Sequence, residues 1–196
     1  PTKNLGGFGD GGMLTTNDDL LAERLRLLAA HGMNPRYYHK VVGINSRLDT
    51  VQAAVLNVKF KHLADWTRAR QENARRYHQL FTAEGLHRMI DLPEAQAERG
   101  HVWNQYTIRV ANGKRDSLRA QLAEAGIGSE VYYPVPLHQQ QCFQSLGYGP
   151  GSLPCTEQAA QEVLSLPIYP EVTPAEQQAV ARAVADALLT RLRRAG

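Results

Sequence analysis

Lys3 stands at the head of a glycine-dense stretch, Gly6-Gly7-Phe8-Gly9-Asp10-Gly11-Gly12, with five glycines in seven positions. A phosphate-binding P-loop has its lysine after the last glycine, trailed by Ser or Thr. Here that order is reversed, so the turn is not read as a P-loop. Alone, a lysine beside a glycine turn is a solvated side chain in most proteins. A second concentration of functional groups, Arg36-Tyr37-Tyr38-His39-Lys40, lies within a stretch from Met33 to Asn45 that has neither helical nor strand period. Loops of such length inside compact domains often carry function, and an interface loop is the equal alternative. The chain contains no His-Glu-x-x-His, Cys-x-x-Cys or Gly-x-Ser-x-Gly pattern and no calcium loop, which disfavours a metalloenzyme or a serine hydrolase.

These residues need elements to position them. Met13-Leu14-Thr15-Thr16 reads as a short strand behind the glycine turn. Asn17-Asp18-Asp19 supplies a cap and first-turn acids for a helix over 18–30, with Leu20, Leu21, Leu25 and Leu28 at helical spacing and Gly32 just past its end. From Ser46 a helical face recurs at Leu48, Val51, Val55 and Val58. A break near His62 leads into a second, polar helix that runs to Glu84 and stops at Gly85. Trp66, Tyr77, Leu80 and Phe81 give that second helix an anchoring side. The spacing then predicts a strand over 101–110, a turn at Asn112-Gly113, a helix around Leu118 and Leu122 closed by Gly126, and a strand over 127–133. A helix from about Thr156 and an extended segment over 166–169 follow. Thr173-Pro174-Ala175-Glu176 is a capping box with proline at the first helical position.

With 196 residues, 43% hydrophobic and 21% charged, the chain can bury a core in one or two domains. Its net charge of +3 is scattered except at Arg191, Arg193 and Arg194, which read as the solvated last turn of a helix. With no basic stripe interleaved with aromatics, nucleic acid is not an expected partner. Cys142 and Cys155 are too few for a disulfide framework or a zinc cluster, which fits a reducing cytoplasm, and no apolar run reaches the ~20 residues of a membrane span. The chain begins at Pro1, in what reads as the middle of a folded unit, so a fragment is expected.

Five ordered blocks carry a resemblance. They are Pro1-Thr2-Lys3-Asn4-Leu5-Gly6 with Gly9-Asp10-Gly11-Gly12, then Gly43-Ile44-Asn45-Ser46-Arg47-Leu48-Asp49 leading into Gln52-Ala53-Ala54, then His101-Val102-Trp103-Asn104-Gln105-Tyr106. Tyr132-Tyr133-Pro134 with Pro136-Leu137-His138, and Leu164-Ser165-Leu166-Pro167-Ile168-Tyr169-Pro170, complete the set. In wording and spacing they resemble the C-terminal half of the DegT/DnrJ/EryC1/StrS family of sugar aminotransferases, over essentially the whole chain.

The resemblance implies an α/β fold of fold type I, like aspartate aminotransferase, that binds pyridoxal 5′-phosphate (PLP). Residues 1–62 would be the end of the large PLP-binding domain, and 63–196 a long connecting helix with the small C-terminal domain. It implies that Lys3 is the catalytic lysine, its amine joined to the cofactor aldehyde, its pKa lowered by the cationic ring and by partial burial. Asn45 would donate to the cofactor phosphate in the neighbouring subunit, which makes the protein a homodimer with shared active sites. Arg47 is a substrate or phosphate-corner candidate, and an arginine paired with Asp49 at a helix start is the plain alternative. Tyr133 and His138 are substrate-side candidates against simple packing in the small domain. Tyr132 departs from the His-Tyr wording of several members. The implied reaction moves an amino group, with glutamate as donor, to a nucleotide-linked keto sugar, with C3 as the favoured carbon, in amino-sugar or polysaccharide biosynthesis. A PLP-dependent sugar dehydratase on the same scaffold competes, although the resembling dehydratases carry histidine in place of the lysine. A non-catalytic regulatory or dimerisation module is the alternative from another class. The carboxylate for the pyridine nitrogen and the ring-stacking residue would lie upstream of Pro1, so this stretch alone is expected to be inactive. An amine in open solvent, far from a partner's asparagine, would sink the reading.

Overall fold

Asp18 opens the first helix, α1 (Asp19–Ala29): its backbone is extended and its carboxylate accepts the Leu21 amide at 3.1 Å. The computed structural model describes residues 2–194, with side chains through residue 189. The side chains of Arg191, Arg193 and Arg194 therefore lie outside the described residues. Two compact units divide the chain, Pro1–Ala64 and Asp65–Gly196.

In the first unit, the loop after α1 returns along the end of the helix. Leu28 and Ala29 carbonyls accept the Ile44 and Ser46 amides at 2.8 and 2.9 Å, and His31 donates to the Ile44 carbonyl at 2.9 Å. Two glycines make this approach possible. A Cβ on Gly32, whose φ is +66°, would fall 1.8 Å from the Val41 carbonyl oxygen, and one on Gly43 would fall 2.3 Å from the Gly32 nitrogen. The next helix, α2 (Thr50–Phe60), starts later than its apolar period suggests: the Ser46 amide is already engaged, and Asp49 is extended at the N-cap. No strand forms at Met13–Thr16. Among the described residues this unit has no strand that could pair with it, and Met13 and Leu14 stand 86% and 76% exposed.

The break expected near His62 separates α2 from α3 (Leu63–Ala83), and Gly85 at φ +71° ends that helix. The second unit is built on α3. Tyr77 and Phe81 are fully buried, stacked at 5.6 Å between ring centroids, and Tyr106 joins them at 5.0 Å from Tyr77. Burial of each such ring contributes roughly 1.5–3 kcal/mol. β1 (Tyr106–Arg109) pairs antiparallel with β2 (Val163–Leu166), in the register Tyr106↔Leu166 to Arg109↔Val163. Between them come α4 (Arg115–Glu124) and α5 (Pro154–Glu162), and α6 (Pro174–Arg194) closes the fold. Its capping box forms as expected: Thr173 N and Oγ1 donate to Glu176 Oε2 at 2.7 Å, and the Glu176 amide donates back to Thr173 Oγ1 at 3.2 Å.

Three further strand expectations are corrected. Trp103 sits at φ +46° and Val102 is 52% exposed, so the strand expected from His101 starts only at Tyr106. Residues 127–133 make a single bridge, Glu130↔Ser165, rather than a strand. The extended segment expected over 166–169 is shifted to Val163–Leu166, where Leu164 and Leu166 are buried and the Ser165 hydroxyl meets Thr107 Oγ1 at 2.8 Å. Among the described residues no helix is long and apolar enough to cross a membrane.

Candidate active site

Lys3 lies in an irregular segment and is exposed, with no ion-pair partner among the described residues. The partial burial expected of it is not supplied within this unit. The turn behind Lys3 is tied to α2. Gln52 Oε1 accepts the Phe8 amide at 2.8 Å, and Lys59 Nζ donates to the Gly6 carbonyl. Gln52 stands in a resembling block and Lys59 in none; a polar side chain on a helix carries no local sign that it reaches forty residues back.

Asn45 and Arg47 are brought together. Both are exposed, at the exit of the folded-back loop, and Arg47 Nε donates to Asn45 Oδ1 at 3.1 Å. A guanidinium can only donate, so the Asn45 amide must turn its oxygen to Arg47 and leave its two N–H donors for another acceptor. An amide donor beside a fixed positive charge is a match for a phosphate oxygen. Lys3 offers a primary amine and this pair offers phosphate donors, so the residues present fit PLP. Across the loop, His39 Nδ1 lies 2.9 Å from the His31 carbonyl oxygen, and Arg36 stacks over the Tyr37 ring at 4.7 Å.

In the second unit Tyr133 and His138 part ways. Tyr133 is 68% exposed, so core packing does not account for it. It packs edge-on against Tyr132 at 5.7 Å and lines a cavity of about 400 Å³ with Pro134, Leu137, Thr156 and Ala159. His138 is buried, with Nε2 at 3.1 Å from Glu157 Oε1. Glu157 also accepts the amides of Gly151 at 2.8 Å and Leu153 at 3.2 Å. The Gly151 amide foremost, with those of Leu153 and the His138 ring adding to it, holds the Glu157 carboxyl below the usual carboxylate range. This is the geometry of a pin that fastens the 147–153 loop.

Two of the resembling blocks owe their shape to α3. Arg70 Nη1 donates to the carbonyls of Trp103 at 3.0 Å, Asn104 at 3.3 Å and Ile168 at 3.0 Å. Asn73 Nδ2 donates to the Tyr169 carbonyl at 2.9 Å, and Tyr77 donates its hydroxyl to the Pro167 carbonyl at 2.9 Å. The His101–Tyr106 and Leu164–Pro170 blocks are therefore fastened side by side on one helix face. Among the described residues no cluster of three or more metal-ligating side chains forms.

The sequence profile of the DegT/DnrJ/EryC1/StrS aminotransferase family matches residues 1–185. A Geobacillus stearothermophilus protein named pleiotropic regulatory protein is 52% identical over 95% of this chain and 49% of its own length. The dTDP-3-amino-3,4,6-trideoxy-alpha-D-glucose transaminase of Streptomyces venezuelae is 43% identical over 88% of this chain and 44% of its own. Among solved structures, S. venezuelae DesV in complex with a ketimine intermediate superposes with a TM-score of 0.87 at 39% identity, covering 95% of this chain and 49% of that one. The chain thus spans about half the length of the curated relatives it matches, and its fold is that of the C-terminal half of these fold-type I α/β enzymes.

Proposed function

The chain belongs to the DegT/DnrJ/EryC1/StrS aminotransferase family, and on that premise we propose that the protein containing it is a PLP-dependent aminotransferase acting on a nucleotide-linked keto sugar. The observation that carries this reading is the Arg47–Asn45 contact, which turns the Asn45 donors outward in the unit that also carries Lys3, an exposed amine with no ion-pair partner among the described residues. When bound, PLP supplies an electron sink that eases breakage of a bond at the amino-bearing carbon. Lys3 Nζ would hold the cofactor and, once released from it, carry a proton between substrate carbon and cofactor. Asn45, with Arg47 beside it, would hold the phosphate of the cofactor in the neighbouring subunit, which makes the working unit a homodimer. The burial that Lys3 lacks in its own unit would come from that neighbour and from the rest of the large domain.

Tyr133, exposed on its cavity, is the substrate-side contact of the second unit, and His138 is better placed to pin the adjoining loop than to meet the sugar. Glutamate is the proposed amino donor and C3 the proposed site of amination. The name of the S. venezuelae relative, a transaminase of a 3-amino sugar, supports that carbon. The proposed setting is amino-sugar or polysaccharide biosynthesis in the cytoplasm. The name of the Geobacillus relative favours a second reading, a regulatory protein that has kept the fold. One experiment separates them: full-length protein is incubated with PLP and divided, one portion being reduced with borohydride and digested, the other offered glutamate and keto sugar nucleotides without reduction. An adduct on Lys3 with conversion of PLP to pyridoxamine phosphate supports the enzyme, and a folded protein with no cofactor absorbance supports the regulator.

A further inference from the structure

A single side-chain amide on α2 occupies the inside of the turn that follows Lys3. Gln52 Oε1 accepts the Phe8 N–H at 2.8 Å. The same amide fills the space where two glycines would carry side chains: a Cβ on Gly7 would fall 2.7 Å from Gln52 Oε1, and one on Gly9 would fall 2.9 Å from Gln52 Nε2. Neither glycine has a left-handed φ, so no backbone requirement explains them. The Gln52 amide excludes a methyl group at both. It could swing aside for one, but only by releasing the Phe8 amide. Two turns further along the helix Lys59 Nζ donates to the Gly6 carbonyl, and before the helix Leu48 Cδ1 lies 3.3 Å from the Cβ position on Gly11. The glycine turn is stitched to one side of the helix from Gly6 to Gly11, and the stitching begins three residues beyond Lys3.

We propose that Gln52 is a positioning residue for Lys3. By filling the room left at Gly7 and Gly9 and holding the Phe8 amide, it fixes the backbone of the turn and so the direction in which the Lys3 amine leaves the chain. This rests on the reading of Lys3 as the cofactor-holding lysine. An amine that must meet one carbonyl carbon tolerates little error, since a misplacement of about 1 Å can cost about 10²-fold in rate. The two glycines and the glutamine then form one device, which explains why glycines without unusual backbone angles stand where alanine would otherwise serve.

The test uses the full-length protein, reconstituted with PLP and quenched with borohydride at intervals, so that the rate of adduct formation on Lys3 is read directly. Gln52→Leu keeps most of the volume and removes both polar ends; it is expected to slow the adduct by about 10-fold or more and to shift the pH profile of the lysine–cofactor absorbance. Gln52→Glu keeps an acceptor for the Phe8 amide and is expected to recover most of the rate. Gly7→Ala is expected to slow the adduct in the unsubstituted protein and to add little in a Gln52→Ala background, where the methyl has room. This second comparison decides the matter if Gln52→Leu does not fold. An unchanged rate and pH profile in Gln52→Leu, or an equal cost of Gly7→Ala in both backgrounds, overturns the proposal. No adduct on Lys3 in the unsubstituted protein overturns instead the reading on which it rests.

Discussion

α2 and α3 follow one another in the chain, yet they treat apolar side chains in opposite ways. In α3, Tyr77 and Phe81 are wholly buried against β1, whereas in α2, Val51 and Val58 are 69% and 62% exposed, and Phe60 is 64% exposed. The same contrast extends outward. The second unit has a continuous core from Ala74 to Leu188, while α1 and α2 contain no buried residue at all. The first unit is shaped by backbone bonds, glycine contacts and polar ties such as those of Gln52 and Lys59, and its apolar side chains await cover. Exposed apolar surface on this scale marks an interaction face, and the proposed neighbour and the remainder of the large domain are what would lie on it. The candidate chemistry, Lys3, Asn45 and Arg47, belongs to the unit that lacks a core of its own.

Four measurements would break or sharpen this contrast. The largest effect is expected from Lys3→Ala in the full-length protein: transamination falls by about 10²–10⁴-fold or more, the borohydride adduct disappears, and thermal unfolding, compared between the cofactor-free proteins, is unchanged. A drop in melting temperature would show the lysine to be structural. Next, Phe81→Ala is expected to cost about 3–5 kcal/mol in urea unfolding, against ~0.5 kcal/mol or less for Val58→Ala if Val58 stays exposed in the assembled protein. A large cost at Val58 would identify it as buried by a partner. A smaller pair probes the core: Tyr77 donates to the Pro167 carbonyl, whereas the buried Tyr106 hydroxyl has no partner among the described residues. Tyr77→Phe should therefore cost about 1 kcal/mol and Tyr106→Phe nothing or less than nothing; equal losses would contradict the geometry.

The smallest effect concerns acid. Glu157 has a lowered pKa in the fold, chiefly through the Gly151 amide. Such a group stabilises the fold above its unfolded pKa of about 4.3, and that stabilisation is lost as pH falls through the lower folded value. Glu157→Gln should make the acid limb of the stability curve shallower below about pH 4.3 and leave the neutral region with only the loss of the pin. An identical acid limb would place the carboxylate outside the stabilising network.

Helix positions were legible because their signals are local. Asp18, the Thr173-Glu176 box and the glycines at 32, 85 and 126 mark ends that the backbone obeys. Strands were legible only where a partner exists. Met13–Thr16 has strand-forming residues and nothing to pair with in its own unit, and β2 fell three residues earlier than its apolar run suggested because register follows Tyr106↔Leu166 across the ladder. Of the site, the resemblance drew attention to Lys3, Asn45 and Arg47, and the structure shows the contact between the last two. The reach of Gln52, quoted only within its block, and of Lys59 and Arg70 has no local mark, since each acts on backbone atoms between thirty and a hundred positions away, and no periodicity records such a reach.

The brevity of α2 carries a consequence for the whole assembly. Asn45 precedes the helix and Gln52 sits in its first turn, so in the proposed dimer a displacement of this one short rod would reach the glycine turn of its own chain and, through residues 46–49, the asparagine lent across. Occupancy in one cleft would then alter readiness in the other. Stoichiometric titration of a cofactor-stripped dimer should show two unequal steps, and blunting Gln52 should merge them.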